Sequence, residues 1–219
     1  MKKSLLAFSF LTIISATAFS QDIKWGIQAG AAIASQQAKQ SGITITSDSK
    51  IGFTLGVLSD ISITDNFTFQ PGLNFTQKGS KFSMTDGGES MESTQTLNYV
   101  ELPLNFLYNA PAGKGKFFAG LGPVVNYGIS GKVKVKMTGE PEISEDVNFG
   151  NDEAEDNYKP FEFAGNVLAG YEFSNGVFLA ANYNAGLSNI AVGGDSDNSV
   201  KNRHFGVKLG FKFGGAAAK

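Results

Sequence analysis

From Trp25 to Phe213 the chain alternates with a period of two, and one of the two faces is almost free of charge. That alternation is the signature of β-strands, whose successive side chains point to opposite sides of a sheet. Eight segments carry it. Trp25, Ile27, Ala29, Ala31 and Ile33 share a face in the first, and Ile51, Phe53, Leu55 and Val57 in the second. Phe67 to Phe75 form the third, Val100 to Tyr108 the fourth and Phe117 to Ile129 the fifth. Phe161 to Phe173, Val177 to Leu187 and Phe205 to Phe213 complete the set. The opposite faces are built from Gly, Asn, Thr and Gln with scattered charges. No long segment has the 3.6-residue period of a helix.

The connections alternate in length. Thr64-Asp65-Asn66, Ala110 to Gly115 and Ser174-Asn175-Gly176 have hairpin-turn chemistry. The other connections are long and polar, the longest running from about Gly131 to Lys159, although its start, Lys132 to Met137, still alternates and reads as an extension of the fifth strand. Short turns at one end and long loops at the other match a transmembrane β-barrel. A soluble eight-stranded barrel of lipocalin type has the same alternation with its apolar face inside. The polar face separates the two readings. A water-exposed exterior is dense in Lys and Glu, whereas a narrow interior favours small side chains, and the chain has 27 glycines. The expectation is therefore an all-β, closed, eight-stranded antiparallel up-and-down transmembrane barrel over residues 21–213. Open edges in hydrocarbon would leave backbone groups unpaired. Trp25, Phe67, Tyr108, Phe117, Phe173 and Phe213 near the turn end, with Phe53, Phe75, Tyr127, Phe161 and Phe205 near the loop end, read as two interfacial girdles.

The ends fit export. Lys2 and Lys3 precede the apolar run LLAFSFLTIISA, and Ala18-Phe19-Ser20 has the small residues of a cleavage site. Residues 1–20 read as a signal peptide removed before Gln21, and residues 214–219 as a short tail after the last strand. The chain has no cysteine, hence neither a disulfide framework nor a thiolate metal site. Its net charge of −2 argues against nucleic acid as a partner.

Several motifs resemble the PorT-type family of small outer-membrane β-barrel proteins of Gram-negative bacteria. They are Tyr99-Val100-Glu101-Leu102-Pro103-Leu104, Gly120-Leu121-Gly122-Pro123, Gly170-Tyr171-Glu172-Phe173 and Tyr183-Asn184-Ala185-Gly186-Leu187-Ser188, in that order. The resemblance covers essentially the whole mature chain. It implies an integral eight-stranded outer-membrane barrel and no single activity, some members being linked to protein secretion. The partners it implies are outer-membrane lipids, lipopolysaccharide and the barrel-assembly machinery, together with an unidentified extracellular or periplasmic protein.

Parity places Glu101, Glu162, Glu172, Lys24, Lys50, Lys208 and Lys212 in the interior. An eight-stranded barrel is just wide enough for side chains to fill, so these charges must pair or meet water. The expected cluster is Glu101, Glu162 and Lys208, with Lys208 as the partner of Glu101. Pro71, Pro103 and Pro123 fall in three neighbouring strands. Because proline cannot donate to a ladder, a weakened ladder with at least one bulge is expected there; a tip near Gly87-Gly88 sets Pro71 opposite Leu104, and a turn at Ala112-Gly113 sets Pro103 opposite Gly122.

No catalytic, cofactor or metal site is expected. His204 is the only histidine, which excludes a multi-histidine metal site. Some eight-stranded outer-membrane barrels are lipid A-modifying enzymes with a His and a Ser or Asp near the outer leaflet, so Ser130 or Ser188 beside His204 is the enzyme alternative. Asp152-Glu153-Ala154-Glu155-Asp156 lacks the glycine and ligand spacing of a calcium loop. The function expected is a structural or interaction role through long outer loops. A transport or secretion component is the alternative.

Overall fold

A computed structural model describes residues 23–214; the leader expected at 1–20 and residues 215–219 of the tail lie outside them. The described residues form ten strands: β1 (Ile23–Gln40), β2 (Ile43–Thr46), β3 (Asp48–Ser62), β4 (Phe67–Asp86), β5 (Glu89–Ala112), β6 (Gly115–Met137), β7 (Ile143–Val147), β8 (Phe161–Glu172), β9 (Val177–Gly186) and β10 (Ser199–Gly214). Eight of them, β1, β3, β4, β5, β6, β8, β9 and β10, pair antiparallel in chain order, and β10 returns to β1. That last pairing runs from Lys24 opposite Gly214 to Lys39 opposite Ser199, so the strands form a ring. β2 adds to β1, and β7 to β6, beyond the ring proper.

The ring is inverted relative to a water-soluble domain. Trp25, Ile27, Phe53, Leu55, Leu73, Phe106, Leu121, Phe163, Val167, Leu179 and Leu209 are exposed on its outside. Lys78, Glu101, Asn126, Glu162, Asn184 and His204 are buried inside it. Glycines hold the strands close enough for this. A Cβ on Gly30 would meet the Val207 carbonyl of β10, and one on Gly122 the Leu104 carbonyl of β5. The aromatic residues at the two ends pair across strands: Phe67 with Tyr108 and Phe117 with Tyr171 at the turn end, Phe53 with Phe75 and Tyr127 with Phe161 at the loop end.

Several strands are longer than their alternation suggests. The segment between the third and fourth repeats, expected as a long polar loop, is strand almost throughout. β4 and β5 continue to a two-residue turn at Gly87-Gly88, both with positive φ (57° and 94°), as a tight hairpin turn requires. β6 runs on through Lys132-Val133-Lys134-Val135-Lys136 to Met137, the extension that its alternation predicts. Together with β7 these extensions form a wall rising past the ring.

At the three prolines the ladder is interrupted without a bulge. Regular pairing is missing at Pro71 against β3, between Leu58–Gly72 and Ile61–Phe69. It is missing beside Pro103, between Pro71–Leu104 and Asn74–Glu101, and at Pro123, between Pro103–Val124 and Phe106–Leu121. The register is the same on both sides of each gap, which corrects the expected bulge: a missing donor leaves a hydrogen bond unmade and inserts no residue. Pro71 does face Leu104, but Pro103 faces Val124 rather than Gly122. The turn centres on Gly113-Lys114, between Ala112 and Gly115, one residue later than the expected Ala112-Gly113. Moving a turn by one residue moves every pair by two and keeps the faces.

The register shifts lie nearer the loop end, between Ser49 and Thr54 in β3 and between Asn98 and Tyr99 in β5. The second shift changes which residues of β6 face inward. Opposite it, β6 takes up an extra residue and exchanges its two faces. Above Gly128 the lysines of β6 turn outward, and Val133, Val135 and Met137 join the lumen-side face with Leu97 and Gln95.

Candidate functional site

The polar faces of eight strands converge on a narrow lumen, and two lysines organise it. Near the loop end, Lys78 of β4 places Nζ 2.9 Å from Glu101 Oε1 and 3.3 Å from Glu162 Oε2. The lysine is 1% exposed and Glu162 is fully buried. Thr76 Oγ1 donates to Glu101 Oε2 at 2.7 Å, and Asn202 Nδ2 donates to Glu162 Oε2 at 3.1 Å and to Tyr99 OH at 3.2 Å. The Lys78 ammonium also stands 4.7 Å from the centre of the Tyr99 ring, a favourable approach for a desolvated cation.

Glu101 therefore pairs with Lys78, not with Lys208 as expected. β4 is the direct neighbour of β5, whereas β10 lies on the opposite side of the ring. Lys208 faces a small central cavity with Glu101. Lys78 escaped the sequence reading because Gln77-Lys78-Gly79 looks like the start of a loop. The available signal was strand length: β4 continues to Asp86.

The second lysine, Lys212 of β10, organises the turn end. Its Nζ lies 2.6 Å from Asp60 Oδ2 and 3.0 Å from Glu172 Oε2. Gln70 Nε2 donates to Asp60 Oδ1 at 2.7 Å, and the rings of Phe118 and Phe178 lie 5.1 and 5.2 Å from the ammonium. Of the remaining interior lysines, Lys24 is half-buried and Lys50 donates to Gln77 Oε1 at 3.1 Å.

Between the two clusters is a cavity of about 30 Å³ lined by amides, among them Asn74, Asn105, Asn166 and Asn182. Asn182 Nδ2 donates to Asn166 Oδ1 at 3.0 Å, and Asn166 Nδ2 donates to Asn105 Oδ1 at 2.9 Å. A space of this size has room for only two or three water molecules, at about 10–15 Å³ each. At the loop end the mouth is covered. Phe149, from the segment after β7, packs edge-on against Tyr99 and sits where a Cβ of Gly128 would stand. Leu97, Tyr99 and Val147 form a buried cluster with Val133, Phe149 and Tyr158 around them, and Gln95 Nε2 donates to Tyr158 OH at 3.0 Å.

His204 is 3% exposed, with Nδ1 free of any protein hydrogen bond. Neither candidate serine is engaged with it. Ser188 Oγ accepts the Phe163 N–H at 2.8 Å, and Ser130 Oγ accepts Asn98 Nδ2 at 3.0 Å. Among the described residues no three His, Cys, Asp or Glu side chains are grouped to hold a metal ion. The acidic run folds on itself: Asp152 Oδ1 accepts the Ala154 N–H, and Asp156 Oδ2 accepts the Asp152 N–H. In the loop between β9 and β10, Asp195 Oδ1 accepts the N–H groups of Asp197 and Asn198 at 2.8 and 2.7 Å. These bonds hold the Asp195 carboxyl below its ordinary pKa.

An eight-stranded ring with apolar residues outside and ionised residues inside has the polarity of a β-barrel membrane protein. The chain belongs to the outer membrane protein beta-barrel domain family, which residues 19–192 match. A search of curated protein sequences finds no match. Among solved structures the chain is similar to Neisserial surface protein A, with 15% identity over 86% of this chain and 97% of that one and a TM-score of 0.45. It is also similar to Ail, the attachment invasion locus protein of Yersinia pestis (15% identity, 88% and 99% covered, TM-score 0.40). A third likeness is to the outer membrane protein OprG from Pseudomonas aeruginosa (12% identity, 88% and 96% covered, TM-score 0.41).

Proposed function

We propose that this protein is a closed, outer-membrane-spanning barrel of the PorT type, exported through a cleaved leader, whose role is structural or recognitive and not catalytic. The outward apolar positions of β1 run from Trp25 to Ile33. They cover about 26 Å along the strand, or about 20 Å of height at a ~40° tilt, close to the ~25 Å apolar band of such barrels. In this reading the aromatic pairs at the two ends sit in the headgroup regions. Lipids and lipopolysaccharide are the surrounding partners, and the barrel-assembly machinery inserts the chain.

The observation that carries the functional reading is the filled lumen beneath a projecting wall. Two ion clusters, an amide-lined pocket of about 30 Å³ and the Phe149 cover occupy successive levels of the interior. A solute would have to break buried pairs to pass. Outside, β4 to β7 extend past the ring and present surface to a partner. The separate hydrogen bonds of Ser130 and Ser188 favour a non-enzymatic role for His204.

Purified protein in planar bilayers should show no steady conductance. A deletion strain should keep its lipid A unchanged by mass spectrometry and its secreted proteome intact, while losing capture of whatever binds the outer loops. Stepwise channel openings or a defined secretion defect would favour the transport reading. Altered lipid A reversed by the wild-type gene but not by His204→Ala would establish an enzyme.

A further inference from the structure

The chain has 4 methionines, and all but Met1 stand in one row. Met84 of β4 is directly opposite Met91 of β5, and Met91 is directly opposite Met137 of β6. The three are 56%, 39% and 41% exposed, at the far end of the wall, well beyond the ring. They line one groove of about 370 Å³ together with Asp86, Glu89 and Glu140.

Packing does not account for this row. The buried cluster of the wall is built from Leu97, Tyr99 and Val147 and ends below the methionines. Strand propensity does not account for it either, since exposed strand positions favour β-branched and aromatic residues. What thioethers offer that Val, Thr or Tyr does not is a soft, neutral sulfur ligand on an unbranched side chain with three rotatable bonds.

Neighbouring strands are about 4.8 Å apart, so the outer two methionines start about 9.6 Å apart with Met91 between them. Each side chain has the reach to lean inward and bring its Sδ over Met91. Thioether sulfur selects Cu(I) among common metal ions, and other d¹⁰ monovalent ions share that softness. No cysteine competes, and the single histidine is enclosed in the lumen. The carboxylates at the rim supply negative potential without being the preferred ligands of a soft ion. The nearby Lys136 is directed to Glu142, at 3.3 Å, and not into the groove.

We propose that Met84, Met91 and Met137 form a trithioether binding site for a soft monovalent cation of the Cu(I) or Ag(I) class on the lumen-side face of the projecting wall. The site binds the ion as such and needs no change of oxidation state.

The test uses the folded mature protein in detergent, titrated anaerobically with Cu(I) held by a chromophoric chelator, and with Ag(I) as a redox-inert second ion. The wild type should withdraw one equivalent from the chelator. Met91→Leu should weaken this about 10-fold or more, as should Met84→Leu and Met137→Leu, with folded gel mobility retained because Leu replaces Met at nearly equal volume. The Glu89→Gln/Glu140→Gln double variant should still bind one Cu(I). A wild type that leaves the chelator fully loaded overturns the proposal. So does a Met84→Leu/Met91→Leu/Met137→Leu triple variant that binds like the wild type, or loss of binding in the carboxylate variant alone.

Discussion

Lys78 of β4 and Glu101 of β5 form an ion pair of 2.9 Å that is almost fully enclosed in the lumen, with Glu162 of β8 as the second carboxylate on the same ammonium. One cation thus ties together three strands of the ring. Removing one partner of a buried pair is worse than removing the pair, because the remaining charge is stranded. Lys78→Met strands two carboxylates and should cost about 3–5 kcal/mol, read as a lower denaturant midpoint at unchanged slope. Glu101→Gln should cost less, since Glu162 still neutralises Lys78. Adding Glu101→Gln and Glu162→Gln to Lys78→Met should recover most of the loss. Equal midpoints for Lys78→Met and the wild type would remove the pair from any account of stability.

The Lys212 cluster shares no residue with the Lys78 cluster, and the two occupy opposite ends of the lumen. Lys212→Met should therefore be destabilising in its own right, stranding Asp60 and leaving Glu172 with Lys116 alone, at 3.4 Å. The Lys78→Met/Lys212→Met double variant should show the sum of the two losses to within about 0.5 kcal/mol. A clear departure from the sum would mean that the amide chain between them couples the clusters.

Strand pairing between the first and last strands depends on Gly210 of β10. A side chain there would meet the Phe178 ring and the Ile27 carbonyl of β1. Overpacking costs about 1–3 kcal/mol where side chains can shift, and more against a backbone carbonyl, which cannot move without parting β1 from β10. Gly210→Val should abolish the heat-modifiable folded band on gels. Gly165→Ala is the control: the only atom within 4 Å of its Cβ is Leu187 Cδ1 at 3.9 Å, and it should fold normally.

The Asp195 loop should loosen in acid while the barrel stays intact. Two backbone N–H groups depress the carboxyl pKa in the folded loop. Folding of the loop is thus favoured by the ionised form. That contribution is complete above the ordinary Asp pKa of about 3.9 and is lost as pH falls through the lower folded value. Amide exchange at Asp197 and Asn198, corrected for its intrinsic pH dependence, should be slow at neutral pH and lose protection below that range. Asp195→Ala should show the unprotected behaviour at every pH. Acid-insensitive protection in the wild type would count against this cap.

The faces of the strands were legible because burial and exposure alternate with the backbone. Trp25, Phe53, Leu121 and Leu209 could be assigned outward, and Glu101, Glu162, Glu172 and Lys212 inward, from parity alone. Parity gives a face without giving a height or a neighbour. Lys78, the residue on which the loop-end cluster turns, was hidden by a Gly and a Gln that mimic a loop. Lys208, the expected partner of Glu101, is on a strand across the ring. The Met row was hidden for a related reason. Met84, Met91 and Met137 are far apart in the chain, and only the Gly87-Gly88 turn and the β5–β6 register put them side by side.

Local chemistry was enough to specify an inverted, glycine-rich all-β chain with short turns at one end, since each of those features depends on residues a few positions apart. Partner choice inside the lumen and on the wall was not, because ion pairs and ligand sets are set by register, and register depends on where each turn is centred. A shift of one residue at Gly113-Lys114 moved Pro103 from Gly122 to Val124, and one extra residue opposite Asn98-Tyr99 turned the faces of β6 over. Such small offsets leave the pattern of alternation almost unchanged, yet they decide which side chains meet.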